Sequence, residues 1–319
     1  MADWLVEEGI GEHRALLVDG GEAVAAKLDW PGGLAAGLVA DAKLTHYVPA
    51  RRRGTAQFSG GEEALVARLP ADTREGTVMR LEVTRPALAE RGRNKRAQAR
   101  PSTSDPRPAP SLAEALGAKA VRALPAGLWE EVWSEAWSGE VAFPGGSLVV
   151  SPTPALTAID IDGAAPAAQL AHEAVPAIAA TLRRMDLGGS IAIDFPALAD
   201  KADRRVVDEL VAAALDGWPH ERTAMNGFGL LHIVARLERP SLLHRLALNR
   251  AGAGARLLLR RAEQVAEPGQ LLLTAHPAVL AQVGEPWLEE LARRTGRQVR
   301  TAPDPALALD GGFAQAVAS

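Results

Sequence analysis

The sequence predicts an α/β protein of several domains (α+β multidomain), and three patterns carry that expectation. Short β-type pieces recur over the first hundred or so residues, a strand–helix–strand unit with aspartates near its strand ends lies in the middle, and a compact β–α–β element closes the chain. Between the first and second patterns, RPSTSDPRPAPS from Arg100 to Ser111 holds four prolines. Proline removes a backbone donor and disfavours helix in the residue before it, so this stretch reads as a linker.

Taken in order, HRALLVDGGEAVAAKLDW alternates in part around Asp19-Gly20-Gly21 and predicts a β-hairpin whose glycines accept positive φ. From Gly37 to about Arg100, pieces such as GTAQF, EALVARLP and TVMRLEVT suggest a small barrel or sandwich. Two basic runs fall in this part, RRR at Arg51 to Arg53 and ERGRNKRAQAR from Glu90 to Arg100; each is either a solvated loop or a local phosphate-binding patch. LWEEVWSEAW then puts Trp129, Trp133 and Trp137 on one helical stripe, which reads as burial against a sheet ahead of stacking on bases.

GGSLVVS, a Pro152/Pro154 turn, ALTAIDID, an alanine-rich helical segment to Met185, DLGG and SIAIDF predict a hairpin followed by a strand–helix–strand crossover, which makes the two long strands parallel. Pro176 implies a kink or a late helix start. A helix from roughly Lys201 to Leu215 and the strand GLLHIVARL follow. NRAGAGARLLLRR, glycine-containing and basic, reads as flexible or as wrapping a partner. The last element combines strand QLLLTAH, a helix from about Pro277 to Arg294 stopped by Gly296, and strand RQVRTA.

With 319 residues, 47% of them hydrophobic and 23% charged, the composition is that of a soluble globular protein of two or three modest domains. No apolar run approaches the ~18 residues needed to span a bilayer, and MADWLVEEGIGEHR lacks the order of a signal peptide. The expected location is cytoplasmic, with no membrane partner. The absence of cysteine excludes disulfides, thiolate metal sites and cysteine nucleophiles, so any metal must sit on carboxylates or histidines. A net charge of −4 argues against a uniformly basic nucleic-acid binder but leaves local patches open. No HxH, HExxH or GxSxG motif supports a zincin or a hydrolase triad, and Gly188-Gly189 lacks the lysine of a phosphate-binding loop. His232 reads as an ordinary half-buried strand histidine ahead of a ligand.

In ALTAIDID the period of two puts Asp160 and Asp162 on one face and Ile159 and Ile161 on the other; in SIAIDF, Asp194 lies opposite Ile193 and Phe195. Adjacent strands lie ~4.8 Å apart, so carboxylates ending two parallel strands can converge on one small hard cation, at the carboxyl ends where open α/β sheets do their work. Three aspartates converging uncompensated would repel one another and raise their pKa values, which favours a divalent ion there. Mg²⁺, or Mn²⁺ in its place, suits such oxygen ligands. Pattern alone leaves strand-end capping by Asp160 and Asp194 the stronger reading.

At these residues the chain resembles the ribonuclease E/G family. FPGGSLVVSPTPALTAIDID, RRMDLGGSIAIDF and GFGLLHIVARLERPSL are similar, in order and spacing, to its deoxyribonuclease-I-like catalytic subdomain. The resemblance reverses the odds on the carboxylates: it implies that Asp160 and Asp194 are catalytic metal ligands, with Asp162 where the family usually has an asparagine that supports the site. EHRALLVDGGEAVAAKLD resembles the opening hairpin of the ribonuclease H-like domain, and TAQFSGGEEALVARLP with ERGRNKRAQ resembles the inserted OB-fold RNA-binding domain. LTAHPAV and RRTGRQVRTAPDPAL resemble, more loosely, the small C-terminal domain.

The resemblance divides the chain into a ribonuclease H-like segment (1–35), the OB-fold (36–100), the Pro-rich linker with a ribonuclease H-like remnant (101–128), the catalytic domain (129–245) and the small domain (246–319). It implies a Mg²⁺-dependent endoribonuclease that cuts single-stranded RNA in processing or decay, leaving 5′-phosphate and 3′-hydroxyl ends. Phe58 takes the place of an RNA-stacking aromatic, Arg68 that of a second, and Lys95 that of a phosphate-contacting lysine; Arg91, Arg93, Arg96, Arg236 and Arg239 complete the expected RNA contacts.

Departures are informative too. The Pro-rich linker stands where relatives carry a 5′-monophosphate sensor, and NRAGAGAR stands where they carry the zinc-linking cysteines. No zinc and no zinc-linked tetramer are expected, leaving a monomer or simple dimer. The segment after Asp162 is shortened, and the basic motif after the last strand is reduced to Arg236 and Arg239. The alternative reading is a catalytically inactive RNA-binding protein of the same fold.

Overall fold

The computed structural model describes residues 2–90 and 93–318. Strands β1 (Asp3–Gly9), β2 (Glu12–Asp19) and β3 (Glu22–Asp29) form an antiparallel meander. The predicted hairpin is β2–β3: Asp19 pairs with Glu22, and Gly20 and Gly21 take φ of 60° and 89°, the two positive values a two-residue turn requires. Strand β1, which the sequence reading did not separate, lies on the other side of β2.

Next come β4 (Val39–Val48), β5 (Arg53–Phe58), β6 (Glu63–Ala67) and β7 (Val78–Arg85), then a small hairpin of β8 (Leu88–Glu90) with β9 (Arg93–Lys95), then β10 (Ala97–Pro101). Five of these close a barrel in the order β10-β6-β5-β4-β7. Its core is filled by small and aliphatic side chains, among them Leu44, Ala56, Ala64, Leu69, Leu81 and Val83. Where it is described, the basic run from Glu90 to Arg100 is mostly strand, in β8, β9 and β10. Ala97 and Ala99 face the barrel core while Gln98 and Arg100 point outward, so alternation is present but the small alanines hide it in the sequence.

The Pro-rich stretch is pinned to the barrel where Val39 and Arg107 bridge. After it, α1 (Leu112–Leu116) is closed by a Ser111/Glu114 capping box, and β11 (Lys119–Val121) pairs in parallel with β1 to complete a sheet ordered β11-β1-β2-β3. Helix α2 (Leu128–Ser138) buries Trp129 and Trp133, and Trp133 stacks on Trp137 at 4.7 Å between centroids.

A six-stranded sheet then forms from β12 (Glu140–Phe143), β13 (Gly146–Pro152), β14 (Thr157–Gly163), β15 (Gly189–Asp194), β16 (His220–Arg222) and β17 (Leu230–Ala235), ordered β12-β13-β14-β15-β17-β16. Helix α3 (Ala167–Arg184) crosses from β14 to β15 and makes these two strands parallel; α4 (Lys201–Ala214) follows β15. Pro176 sits inside α3, so the helix does not start late. One core joins the first sheet to this one: Leu16 and Leu28 meet Trp129, Ile178 and Leu182, which in turn cover Ile159, Ile191, Ile193 and Ile233. The opposite face of the six-stranded sheet carries the aspartates.

Helices α5 (Leu242–Leu248) and α6 (Arg250–Glu263) lead into β18 (Gln270–Ala275), α7 (Pro277–Leu280), α8 (Glu285–Thr295), β19 (Val299–Pro303) and β20 (Phe313–Val317). The segment read as flexible, NRAGAGAR, is instead the start of the packed helix α6, capped by Asn249 whose Oδ1 accepts from Gly252 N at 3.0 Å. Its small residues allow close approach, and a Cβ on Gly254 would run into the Leu309 carbonyl. The single helix expected from Pro277 to Arg294 is broken into α7 and α8, because Gly284 is extended and Pro286 suits only a first turn. Strand β18 pairs in parallel with β19, and β20 adds an antiparallel edge.

Candidate active site

Within the six-stranded sheet the isoleucines of β14 and β15 point into the core, so strand alternation turns Asp160 and Asp194 to the open face. Asp160 and Asp194 are direct register partners across the parallel pair, and both are exposed. Asp160 Oδ1 accepts from Ile161 N at 3.0 Å, which holds that carboxylate in one orientation. Small residues floor the ladder behind them: Ala158 pairs with Ala192.

Asp162 is also exposed but pairs with Ser147 of β13, one full strand period beyond Asp160. Among the described residues no three His, Asp or Glu side chains group closely enough to hold a metal ion. The expected convergence of three aspartates is thus corrected to two. A strand rises ~3.3 Å per residue, so Asp162 stands ~6.6 Å further along the same face of β14 than Asp160. The donor set that remains is two hard carboxylates open to solvent. That fits an ion which takes one or two carboxylates and fills its other positions with water or phosphate oxygens.

On the same face, His232 of β17 pairs with Ala192, and its Nε2 lies 2.7 Å from Ser190 Oγ, so it is a satisfied, half-buried strand histidine. The turn leading into β17 is fastened beside Asp194. Leu230 is the register partner of Asp194, Phe195 N donates to Gly229 O at 3.1 Å, and Asn226 Oδ1 accepts from Phe228 N and Leu230 N at 2.9 and 3.1 Å.

The expected RNA contacts divide. Phe58 is only 5% exposed and lies in the barrel core with Ala56 and Leu44; its position in β5 faces inward, so the ring has no face for a base and the stacking expectation for it is corrected. Arg68 is exposed with φ of 59°, the left-handed region, and lines a cleft with Arg53, Leu65, Gln98 and Arg100 of the barrel and with Arg236 from the end of β17. The cleft therefore brings arginines from the barrel and the sheet domain together. Arg100 is paired with Glu82 at 2.8 Å and Arg236 with Glu238 at 3.4 Å, both in exposed settings that a phosphate can compete with.

Lys95 lines a second cleft, where the β8–β9 hairpin faces the Thr153–Thr157 turn, Gly188 to Ser190 and His244. Arg96 lies 3.4 Å from Glu63. Arg91 falls outside the described residues, as does the side chain of Arg93. Arg239 is half-buried, with Asp186 3.6 Å away, and Asp186 also takes Lys27 Nζ at 2.7 Å. That places it in an ion cluster with Asp186 and Lys27. Arg53 and Arg100 were visible only as members of basic runs; Phe228 carried no signal beyond being aromatic.

Fold and site together define a class: an α/β domain presenting a carboxylate pair on an open sheet face, flanked by a β-barrel with arginines on the cleft between them. Residues 128–236 match the model of the Ribonuclease E/G family. The match covers α2 through β17 and includes Asp160, Asp162, Asp194 and Arg236. Comparison with curated proteins returns no match. Among the described residues no helix is long and apolar enough to cross a membrane.

Proposed function

We propose that this protein is an endoribonuclease that hydrolyses single-stranded RNA at the Asp160/Asp194 pair. The observation that carries the reading is the direct pairing of these two exposed carboxylates across parallel strands inside the family-matched domain. On this reading the first sheet is the ribonuclease H-like part, the barrel an OB-fold, and the six-stranded domain the deoxyribonuclease-I-like catalytic part. Asp160 and Asp194 would hold Mg²⁺, or Mn²⁺ in its place, which when bound supplies Lewis-acid polarisation and a more acidic water.

The chain's own residues do the rest. The Ile161 amide keeps Asp160 oriented, and Asp162, further along the same face, acts on water or substrate at the rim. Arg68, Arg53 and Arg100 on the barrel and Arg236 on the sheet grip phosphates across the cleft, and Arg68 stacks on a base by its guanidinium plane. Lys95 and Arg96 extend that grip. Stacking needs exposed bases, hence single strands. Hydrolysis adds the water oxygen to phosphorus and breaks the bond to O3′, which takes up the proton and leaves a 3′-hydroxyl and a 5′-phosphate.

A labelled single-stranded RNA with Mg²⁺, incubated with wild type, Asp160→Asn and Asp194→Asn, tests the proposal. Cleavage by wild type alone, with binding retained in all three, is the expected result. Equal binding and no cleavage by any would establish the alternative, an inactive RNA-binding protein. A DNA strand of the same sequence run alongside separates ribonuclease from deoxyribonuclease activity.

A further inference from the structure

Phe228 is 88% exposed, and it stands at the tip of the turn beside Asp194. A lone surface phenylalanine needs no explanation. This one is followed by Leu230, also exposed at 40%, which is the register partner of Asp194 and lies on the face of β17 that adjoins the carboxylate pair. The turn is held: Asn226 N donates to Leu230 O at 3.0 Å, Gly229 N to Asn226 O at 3.2 Å, and the Asn226 side chain takes both Phe228 N and Leu230 N. Gly229 has φ of 89° and lies so close to the Phe195 carbonyl that no Cβ fits. A glycine at positive φ and a side-chain clamp thus present an apolar ring to water, two residues before Leu230, the register partner of Asp194.

We propose that Phe228 is a base-stacking platform which holds the nucleotide next to the cleaved phosphate. The proposal rests on the endoribonuclease reading of the Asp160/Asp194 pair. An aromatic ring accepts any base through its π-face, and neighbouring Leu230 extends the apolar floor, so the platform grips single-stranded RNA without reading its sequence. It also supplies an exposed aromatic ring, which Phe58, buried in the barrel, does not. Phe228 acts by positioning: stacking sets the register of the strand, and the register sets which phosphate meets the carboxylates.

The test uses the full chain and single-stranded RNAs carrying 2-aminopurine at successive positions, first without divalent ions, then with Mg²⁺. Wild type is expected to quench the probe at one position. Phe228→Ala should lose that quench and cut with kcat/KM lower by ~5–100-fold, and Phe228→Trp should restore both. Replacing the quenched nucleotide by an abasic one should bring wild type down to the rate of Phe228→Ala, with no further loss in the variant.

Quenching and cleavage by Phe228→Ala equal to wild type would overturn the platform while leaving the nuclease reading intact. So would an equal loss on abasic and normal RNA, or a dimer that dissociates in Phe228→Ala, which would make a second copy the occupant. Probe quenching lost in Phe228→Ala, in a wild type that cuts nothing, would uphold the platform and sink the nuclease reading.

Discussion

At the residue scale, function rests on which side of a strand each side chain takes. Asp160 and Asp194 face solvent because Ile159, Ile161 and Ile193 must face the core. Replacing either by asparagine keeps shape and burial but removes the charge; cleavage is expected to fall by roughly 100-fold or more, while the RNA dissociation constant moves little. Single-turnover cleavage beside filter binding reads both. Arg68→Ala should weaken RNA of every sequence alike and lower the slope of log K against log salt by about one, as loss of one phosphate contact does. An unchanged slope would remove Arg68 from the path of the strand. The same alternation that exposes the aspartates buries Phe58. The residue type at that position is legible in the sequence; its solvent exposure is not, because Phe58 shares the inward face of β5 with Ala56 and closes over the barrel core.

At the element scale, two glycines show where backbone proximity decides local structure. Gly229 lets the β16–β17 turn close on Phe195, and Gly254 lets α6 lie against the Leu309 carbonyl. Gly254→Ala adds a methyl with no room, for an expected loss of ~1–3 kcal/mol seen as a lower denaturation midpoint. Gly229→Ala should cost a similar amount and also impair cleavage, since it displaces the turn beside Asp194; unchanged turnover in a destabilised variant would show that the turn only supports the sheet. The α6 case also explains why NRAGAGAR misleads as a sequence. Glycine disfavours an isolated helix, but buried small residues at a tight contact reverse that preference.

At the scale of the whole molecule, a buried ion network ties the domains together. The Glu7 carboxylate accepts from Arg14, from Arg260 Nε at 3.0 Å and from Leu124 N at 2.8 Å, while Arg260 also reaches Glu130 on α2. Arg14 Nε donates to Glu12 at 2.6 Å, and Glu12 takes the Trp30 indole at 2.9 Å. Strands β1 and β2 are thus bound to α2 and α6. Burial pushes the Glu7 carboxyl up, but Arg14 and Arg260 outweigh it and hold it below the ordinary glutamate value of 4.5.

A carboxyl lowered in the folded state contributes in full above that ordinary value and loses its contribution as pH falls through the folded-state value. The Glu7 contribution is therefore expected to hold from neutrality down to about pH 4.5 and to fall below it, with Glu130 acting in the same direction. Glu7→Gln leaves two arginines facing a neutral amide, for a loss of ~3–5 kcal/mol and a shallower acid limb. Denaturant midpoints measured across pH check both.

Periodicity and turn chemistry by themselves determined the hairpin at Gly20-Gly21, the barrel pieces, the parallel β14–β15 unit and the face on which Asp160 and Asp194 lie. These are local properties, set by a period of two, a crossover length and glycines at positive φ. Tertiary structure alone decided that Asp160 and Asp194 share a register while Asp162 stands apart, that Phe58 is enclosed, that Arg239 is held by Asp186, and that Phe228 stands beside the pair. Each depends on which strand neighbours which and how far apart they settle, and pairing across the sheet is written in no single segment.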